Sequence, residues 1–97
     1  MAALRWTEEA AVWVEDIYRY IAQDNPQAAA RVVTSIYEKA QMLRRFPRMG
    51  HTHRTEPEGE IRILQYGHYR IAYLIRAEDV IEILGVFHSA LDIDRYL

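Results

Sequence analysis

Residues 60–88, EIRILQYGHYRIAYLIRAEDVIEILGVFH, are the stretch that decides the fold. Residues 69–76 and 80–88 are rich in β-branched and aromatic side chains, and residues 77–79 between them have the polar composition of a tight turn. Residues 61–66 alternate apolar and polar side chains over a shorter length. The stretch therefore predicts three consecutive strands joined by short connections.

The second of these strands is apolar on both of its faces. Alternation puts four bulky side chains on one face: Tyr69, Ile71, Tyr73 and Ile75. Ala72 and Leu74 lie on the other face, and such a pattern is typical of a central strand that helices cover on at least one side. The polar residues that interrupt the apolar stretch are expected to matter for function, and they are Arg62, Arg70, Glu82 and His88.

Two helices are predicted before the strands. Residues 8–23 carry apolar side chains at three- and four-residue spacing behind Thr7, whose hydroxyl suits an N-cap. Residues 26–45 repeat the pattern behind Asn25, with proline in the first helical position. Because so short a link joins them, the helices are expected to form an antiparallel hairpin. Residues 3–6 are a short apolar run that predicts an edge strand.

The order of the predicted elements indicates the fold class. Helices grouped before an antiparallel run favour a single α+β domain over residues 1–97, with an N-terminal strand and a helical hairpin packed on a twisted antiparallel sheet. Residues 47–59 are predicted to be a loop with one short strand near residues 52–55, and residues 89–97 a helical turn or an arm. The face of the sheet opposite the helices is expected to be partly open and to bind a partner.

The composition is that of an ordinary globular protein. Apolar residues make up 51% of the chain and charged residues 27%, and the net charge is −2. No apolar run is long enough to cross a bilayer, and the first residues lack the basic and apolar regions of a signal peptide. Cysteine is absent, which excludes disulfides and thiolate ligands. We therefore expect a cytoplasmic protein that has no membrane partner.

The middle of the chain is basic, whereas both ends are acidic. Eleven of the twelve basic residues are arginine, and seven arginines stand against three glutamates between residues 44 and 76. Arginine favours bidentate contacts to phosphate or carboxylate, so the segment predicts a surface for a polyanion or an acidic peptide. The residues predicted to form this surface are Arg44, Arg45, Arg48, Arg54, Arg62, Arg70 and Arg76. The alternative is that they only solvate a loop and a sheet edge.

Motifs for metal, nucleotide or nucleophilic chemistry are missing or incomplete. His51 and His53 have the spacing of two zinc ligands, but a zinc site needs at least a third ligand in a defined geometry. The alternative for the two histidines is a solvated loop. Neither Ser35 nor Ser89 lies in a glycine elbow, and the sequence has no glycine-rich phosphate-binding loop. The sequence therefore predicts no metal and no cofactor.

General acid–base cleavage of RNA is the catalytic reaction that the residues best fit. It needs groups that activate the ribose 2′-hydroxyl and protonate the leaving oxygen, with cations for the phosphorane charge. The candidate set, if the C-terminal residues fold back over the sheet, is Arg62, Arg70, His88 and Tyr96. The alternatives are structural. Arg70 would pair with Glu82, His88 would hydrogen-bond at a strand end, and the ring of the tyrosine would only pack.

Five ordered segments cover nearly the whole chain and carry a resemblance. They are Ala10-x-x-Trp13-Val14-x-x-Ile17-x-x-Tyr20-Ile21-Ala22, Asp24-Asn25-Pro26-x-Ala28-Ala29, Leu43-x-x-Phe46-Pro47-x-x-Gly50, Tyr69-Arg70-Ile71-x-Tyr73 and Val80-x-x-Ile83-x-x-Val86-x-His88. In this ordered set the chain resembles the ParE/RelE superfamily of bacterial type II toxins. The resemblance implies two helices followed by a twisted antiparallel sheet. It also implies a cognate antitoxin that wraps the toxin with an extended, partly helical C-terminal segment.

The RelE-like branch of this superfamily implies ribosome-dependent cleavage of messenger RNA by basic residues and a C-terminal tyrosine. Arg70 and Tyr96 match two of those positions. Ile61, Ile63 and Ala90 stand where that branch carries further cations. Without those cations the charge of the phosphorane has little to stabilise it.

The ParE-like branch implies inhibition of DNA gyrase instead. The chain is similar to this branch in its Asp24-Asn25-Pro26-x-Ala28 link and in its Val86-x-His88 run. We therefore expect a non-catalytic inhibitor of DNA gyrase that a cognate antitoxin neutralises. The alternatives are a ribosome-dependent RNase and a degenerate toxin that only binds its antitoxin.

Overall fold

The computed structural model describes residues 1–97, except for the side chain of Glu78. Within that description the fold has two α-helices and five strands. In chain order they are β1 (Ala3–Trp6), α1 (Glu8–Ala22), α2 (Pro26–Gln41), β2 (His51–Glu56), β3 (Gly59–Tyr66), β4 (Tyr69–Arg76) and β5 (Val80–His88). Short 3-10 turns lie at Met42–Arg44, Ala77–Asp79 and Ile93–Arg95. Neither of the described α-helices combines the length and the apolar character needed to cross a membrane.

Both helices begin at the residues that the sequence indicates. The Thr7 hydroxyl accepts a hydrogen bond from the Ala10 amide at 3.1 Å, and the Asn25 side chain accepts one from the Ala28 amide at 3.0 Å. The second helix ends four residues before the predicted Arg45, because the chain tightens into the 3-10 turn that follows it. The two helices are therefore confirmed, with one boundary shifted.

The sheet has the strand order β1-β5-β4-β3-β2. Strands β2 to β5 form an antiparallel meander, so the short strand predicted near residues 52–55 is present as β2 and extends over six residues. The N-terminal strand lies at the opposite edge and runs parallel to β5, so the sheet is mixed. The predicted α+β class, with a helical hairpin on a sheet, is confirmed.

Two apolar clusters cover the two faces of the sheet. The face that carries the helices is here called the helix face. On it, Val14 of α1 and Ile36 of α2 pack against side chains of the sheet, which are Leu64, Ile71, Tyr73, Ile81, Ile83 and Val86. On the opposite face, here called the tail face, the cluster comprises Ile63, Ala72, Phe87 and Ile93. The last of these belongs to residues 89–97, the C-terminal tail. The tail therefore covers part of the face that was predicted to be open.

A bulge in β5 changes which of its side chains face the helices. Tyr73 pairs with Ile83, but the preceding residue of β4 pairs with Gly85, so one residue of β5 is left without a partner. Beyond the bulge, even-numbered residues face the helices, which puts His88 on the helix face and Phe87 on the tail face. A side chain at position 85 would lie 2.4 Å from the Phe87 ring, so the glycine leaves room for that ring.

The buried hydroxyl of Tyr73 holds the loop between α2 and β2. It donates a hydrogen bond to the Pro47 carbonyl at 2.7 Å and accepts one from the Gly50 amide at 3.0 Å. Tyr73 has no exposed surface, and this burial raises the pKa of its hydroxyl. Gly50 lies so close to β3 that an added Cβ would be 2.5 Å from the Ile63 carbonyl oxygen. The loop is therefore fixed to the centre of the sheet.

Replacing Tyr73 by phenylalanine is expected to lower the free energy of unfolding by about 1–3 kcal/mol, because it leaves the buried Gly50 amide and the partly buried Pro47 carbonyl without this partner. Chemical denaturation monitored by circular dichroism measures the change. Tyr66→Phe is the matched control, since the described side chains make no hydrogen bond to the Tyr66 hydroxyl. Equal stability of Y73F and Y66F would contradict the assigned role of the Tyr73 hydroxyl.

Glu82 is the charged residue that lies buried among the described side chains, with 7% of its surface exposed. Its carboxylate accepts a hydrogen bond from Arg76 on β4 at 2.6 Å and another from Arg5 on β1. These two guanidinium groups hold the pKa of Glu82 below its ordinary value. The alternative that paired Arg70 with Glu82 is wrong, because two other arginines occupy the carboxylate.

The lowered pKa gives the Glu82 interaction a defined pH dependence. Its contribution to stability is complete above the ordinary glutamate pKa of 4.5 and is lost as the pH falls through the depressed value. Glu82→Gln is therefore expected to destabilise the protein at neutral pH, and the difference from the wild type is expected to shrink on acidification. Denaturation midpoints measured from neutral to acidic pH test this. A difference that does not depend on pH would contradict it.

Candidate functional site

Four of the seven arginines predicted to bind a partner are occupied by carboxylates of the same chain. Arg48 Nη1 lies 3.0 Å from Glu60, Arg54 Nε lies 2.6 Å from Glu56, and Arg76 Nε lies 2.6 Å from Glu82. The fourth, Arg62, pairs with Glu60 as well. The basic middle of the chain is therefore largely neutralised within the fold.

Arg62 closes the loop that precedes β2. Its Nε donates to the Gly50 carbonyl at 2.8 Å, one terminal nitrogen donates to the Arg48 carbonyl at 3.2 Å, and the other donates to the Thr52 hydroxyl at 2.9 Å. Only 13% of its side chain is exposed. Hydrogen bonds from Thr52, Arg48 and Arg62 hold the pKa of Glu60 below its ordinary value. These contacts leave the guanidinium group few donors for a ligand.

The other three predicted arginines differ from one another in their contacts. Arg44 Nε donates to the Ala2 carbonyl at 3.3 Å, whereas Arg45 is exposed and makes no ion pair with any described side chain. Arg70 donates to the Leu91 carbonyl from one terminal nitrogen, while its buried Nε has no partner in the described structure. The tail therefore lies over Arg70, and Arg45 remains available to a partner.

The four residues of the RNA-cleavage hypothesis do not come together. Arg62 pairs with Tyr73 across β3 and β4 and so lies on the side of the helix face. Arg70 pairs with Phe87 and lies on the tail face, where the Tyr96 ring stacks on Phe87 at a centroid distance of 5.7 Å. His88 lies on the helix face. The sheet thus separates Arg62 and His88 from Arg70 and Tyr96.

Polar contacts from β2 hold the C-terminal tail in place. Asp94 Oδ1 lies 2.7 Å from His53 Nε2 and 3.5 Å from Arg54 Nη1, and Arg54 Nη2 donates to the Leu97 carbonyl at 3.3 Å. The hydrogen bond from His53 is the main cause that lowers the pKa of Asp94. Among the described residues, no three potential metal ligands lie close together, so His51 and His53 are not part of a ligand cluster.

A groove of about 590 Å³ lies between α1 and the ends of β4 and β5. We call it the aromatic groove, and the lining residues that matter below are Trp13, Asp16, Tyr20, Tyr69, His88 and Leu91. His88 Nδ1 accepts a hydrogen bond from the Ala90 amide at 3.1 Å, and its ring meets the Tyr69 ring edge-on at 5.8 Å. The sequence indicated His88 but not the groove, because the bulge that turns His88 towards α1 is invisible in the alternation of β5.

The comparisons with known proteins agree with this architecture. A family model described as the ParE toxin of the type II toxin–antitoxin system parDE matches residues 4–93. The chain belongs to the ParE toxin family. The match extends from β1 into the tail, so it includes both helices and every strand of the sheet.

One sequence relative and two solved structures resemble this ParE-family chain. "Putative toxin Y4kP" of Sinorhizobium fredii (strain NBRC 101917 / NGR234) is 36% identical over 86 residues, which cover 89% of this chain and 86% of the relative. A chain of the chromosomal ParDE toxin–antitoxin system from P. aeruginosa is 25% identical, with a TM-score of 0.73 over 91% of this chain and 96% of that one. A chain of the RelBE2 toxin–antitoxin complex from Mycobacterium tuberculosis is 26% identical, with a TM-score of 0.64 over 90% and 96%.

Removing the Asp94 carboxylate is expected to loosen the tail of this ParE-family protein. Asp94→Ala takes away the acceptor of His53 and Arg54, so the amides of Tyr96 and Leu97, which both donate to the Ile93 carbonyl, should lose protection several-fold. Hydrogen exchange followed by NMR measures these protection factors.

The matched control for this experiment is Asp92→Ala. Asp92 is also an exposed acid of the tail, but its side chain makes no capping hydrogen bond to the following 3-10 turn. Protection of the Tyr96 and Leu97 amides should be unchanged in D92A. If D94A leaves their protection factors at wild-type values, the contacts with β2 do not hold the tail.

Proposed function

We propose that this ParE-family toxin inhibits DNA gyrase without catalysing a reaction, acts in the cytoplasm and is neutralised by a cognate antitoxin. The observation that carries the non-catalytic part is the separation of the RNA-cleavage residues. Arg62 and His88 lie on one side of the sheet, while Arg70 and Tyr96 lie on the other. Proton transfer and charge stabilisation need their groups within hydrogen-bond reach of one reacting phosphate. Membership of the ParE family supports gyrase as the target.

The structural relatives support an antitoxin as the partner. One is a chain of a ParDE toxin–antitoxin system, and the other is a chain of a RelBE2 toxin–antitoxin complex. For this chain we propose an antitoxin segment that combines apolar and acidic side chains. Among the predicted arginines, Arg45 at the C-terminal end of the helical hairpin remains free of an ion pair with any described residue and is accessible to such a segment. Phe46 beside it is 52% exposed and offers an apolar contact.

The alternative activity, ribosome-dependent cleavage of messenger RNA, has one observation in its favour. Arg70 and Tyr96 lie on the same face of the sheet, and both are associated with the tail. A movement of the tail would release the guanidinium group of Arg70, whose buried Nε has no partner among the described residues. A degenerate toxin that only binds its antitoxin is the third possibility, and the absence of growth inhibition on expression would favour it.

Purified protein is expected to block supercoiling by purified DNA gyrase and to accumulate cleaved DNA complexes. Addition of the cognate antitoxin should restore supercoiling. A gel assay of plasmid topology at increasing toxin concentration measures both effects. Full supercoiling activity in the presence of excess toxin would contradict the proposal.

Tyr96→Phe separates the two activities. It removes the hydroxyl that proton transfer would need but keeps the ring that packs on Phe87 and Trp13. Under the gyrase proposal, Y96F inhibits gyrase as the wild type does. Under the RNase alternative, wild-type toxin cuts messenger RNA in a translating extract, and the cuts are lost with Y96F, Arg70→Ala and His88→Ala. A wild-type toxin that produces no such cuts excludes the alternative.

A further inference from the structure

The walls of the aromatic groove combine aromatic rings with one carboxylate. Trp13 and Tyr20 approach from α1, and Tyr69 approaches from β4. Tyr20 is 71% exposed, a large aromatic surface left uncovered beside the groove. Burial is the main cause that raises the pKa of the Tyr69 hydroxyl, and the nearby Tyr20 hydroxyl raises it further. The half-buried Tyr69 and the exposed Tyr20 therefore both contribute to the wall of the groove.

The carboxylate in the groove belongs to Asp16, which is not neutralised by its neighbours. Its helix carries one arginine, Arg19, and that side chain pairs with Glu15. No described side chain forms an ion pair with Asp16. A shallower depression continues from the groove along α1 and adds Glu8 and Glu9 to the same surface. Negative charge therefore extends along one side of the helix.

Charge and chemistry together select the class of ligand. Aromatic faces attract cations, and arginine in particular stacks on them while its guanidinium group binds a carboxylate. An acidic segment would meet negative charge from Asp16, Glu8 and Glu9, none of which forms an ion pair with a described side chain. The remainder of the groove, which includes Ile17, Val86 and Leu91, is apolar and can accept aliphatic side chains next to the cation.

We infer that the aromatic groove binds an arginine side chain presented by an apolar segment of a partner protein. The guanidinium group of the partner's arginine lies between the Asp16 carboxylate and the rings of Trp13 and Tyr20. Aliphatic side chains next to that arginine in the partner's segment pack against Leu91. This ligand is opposite in charge to the acidic segment proposed for Arg45, so it occupies a separate surface. The inference does not depend on whether gyrase is the target.

Three synthetic peptides test the inference on the full chain. The first is Gly-Ser-Leu-Leu-Arg-Ala-Leu-Ser-Gly with blocked ends, and the others carry citrulline or glutamate in place of the arginine. Citrulline keeps the shape of arginine and removes its charge. Two-dimensional NMR at neutral pH follows the indole N–H signals of Trp13 and Trp6, the second of which packs on Tyr37 and serves as an internal reference.

The arginine peptide is expected to shift the Trp13 signal in a saturable manner, with affinity about tenfold higher than that of the citrulline peptide. The glutamate peptide should bind more weakly still. Equal affinities for the arginine and citrulline peptides would overturn the inference, as would tighter binding of the glutamate peptide or shifts confined to Trp6. Trp13 shifts that depend on protein concentration without peptide would instead assign the groove to a second copy of the chain.

Asp16→Asn supplies the test on the protein side. It should reduce affinity for the arginine peptide to about that of the citrulline peptide and leave binding of the citrulline peptide unchanged. Asp24→Asn is the matched control, because Asp24 is an exposed acid in the link between the helices and is not part of the groove. If D16N and D24N bind the arginine peptide equally, Asp16 does not hold the cation and the inference fails. The peptide comparison on the wild type stands independently of the fold of either variant.

Discussion

Burial of both faces of β4 and β5 is the constraint on which the rest of the structure depends. These two strands carry apolar side chains on each face, so other elements of this small protein must pack against both faces of the sheet. The helical hairpin covers one face, and the short C-terminal tail, together with Trp13 at the edge of α1, covers part of the other. The tail can do this because Ile93 enters the apolar cluster around Phe87 and because contacts from β2 hold Asp94. The positions of Arg70, Tyr96 and His88 follow from this division of the two faces.

Much of the fold could be predicted because residues close together in the sequence indicate its helices and strands. Thr7 and Asn25 mark the helix starts, and the alternation around Tyr73 marks a central strand. The parallel pairing of β1 and the bulge in β5 could not be predicted, since both depend on which distant strand lies alongside. A single unpaired residue in β5 exchanges the faces of every side chain after it, and alternation alone gives no sign of this.

The candidate site was harder to predict for the same reason. Arg62 and Glu60 stand two apart on one strand, so their pairing could have been noticed in the sequence. Arg5 and Glu82 are 77 positions apart, and nothing local connects them. The number of arginines between residues 44 and 76 therefore predicts more free positive charge for a partner than the fold leaves available. The aromatic groove could not be predicted, because Trp13 belongs to the apolar stripe of α1 and its spacing gives no sign that the ring also reaches Tyr96 in the tail.

The parallel pairing of β1 with β5 has a consequence for the order in which the chain folds. β1 is synthesised before the other described elements, but β5, the strand with which it pairs in the described sheet, is synthesised after the other strands. The helical hairpin and the β2–β4 meander depend on contacts between neighbours in sequence and can form while synthesis continues. Until β5 is available, residues 3–6 have no strand with which to form their parallel pairing. The sheet is therefore completed only after β5 has been synthesised, so its parallel edge closes later than the helical hairpin and the β2–β4 meander form.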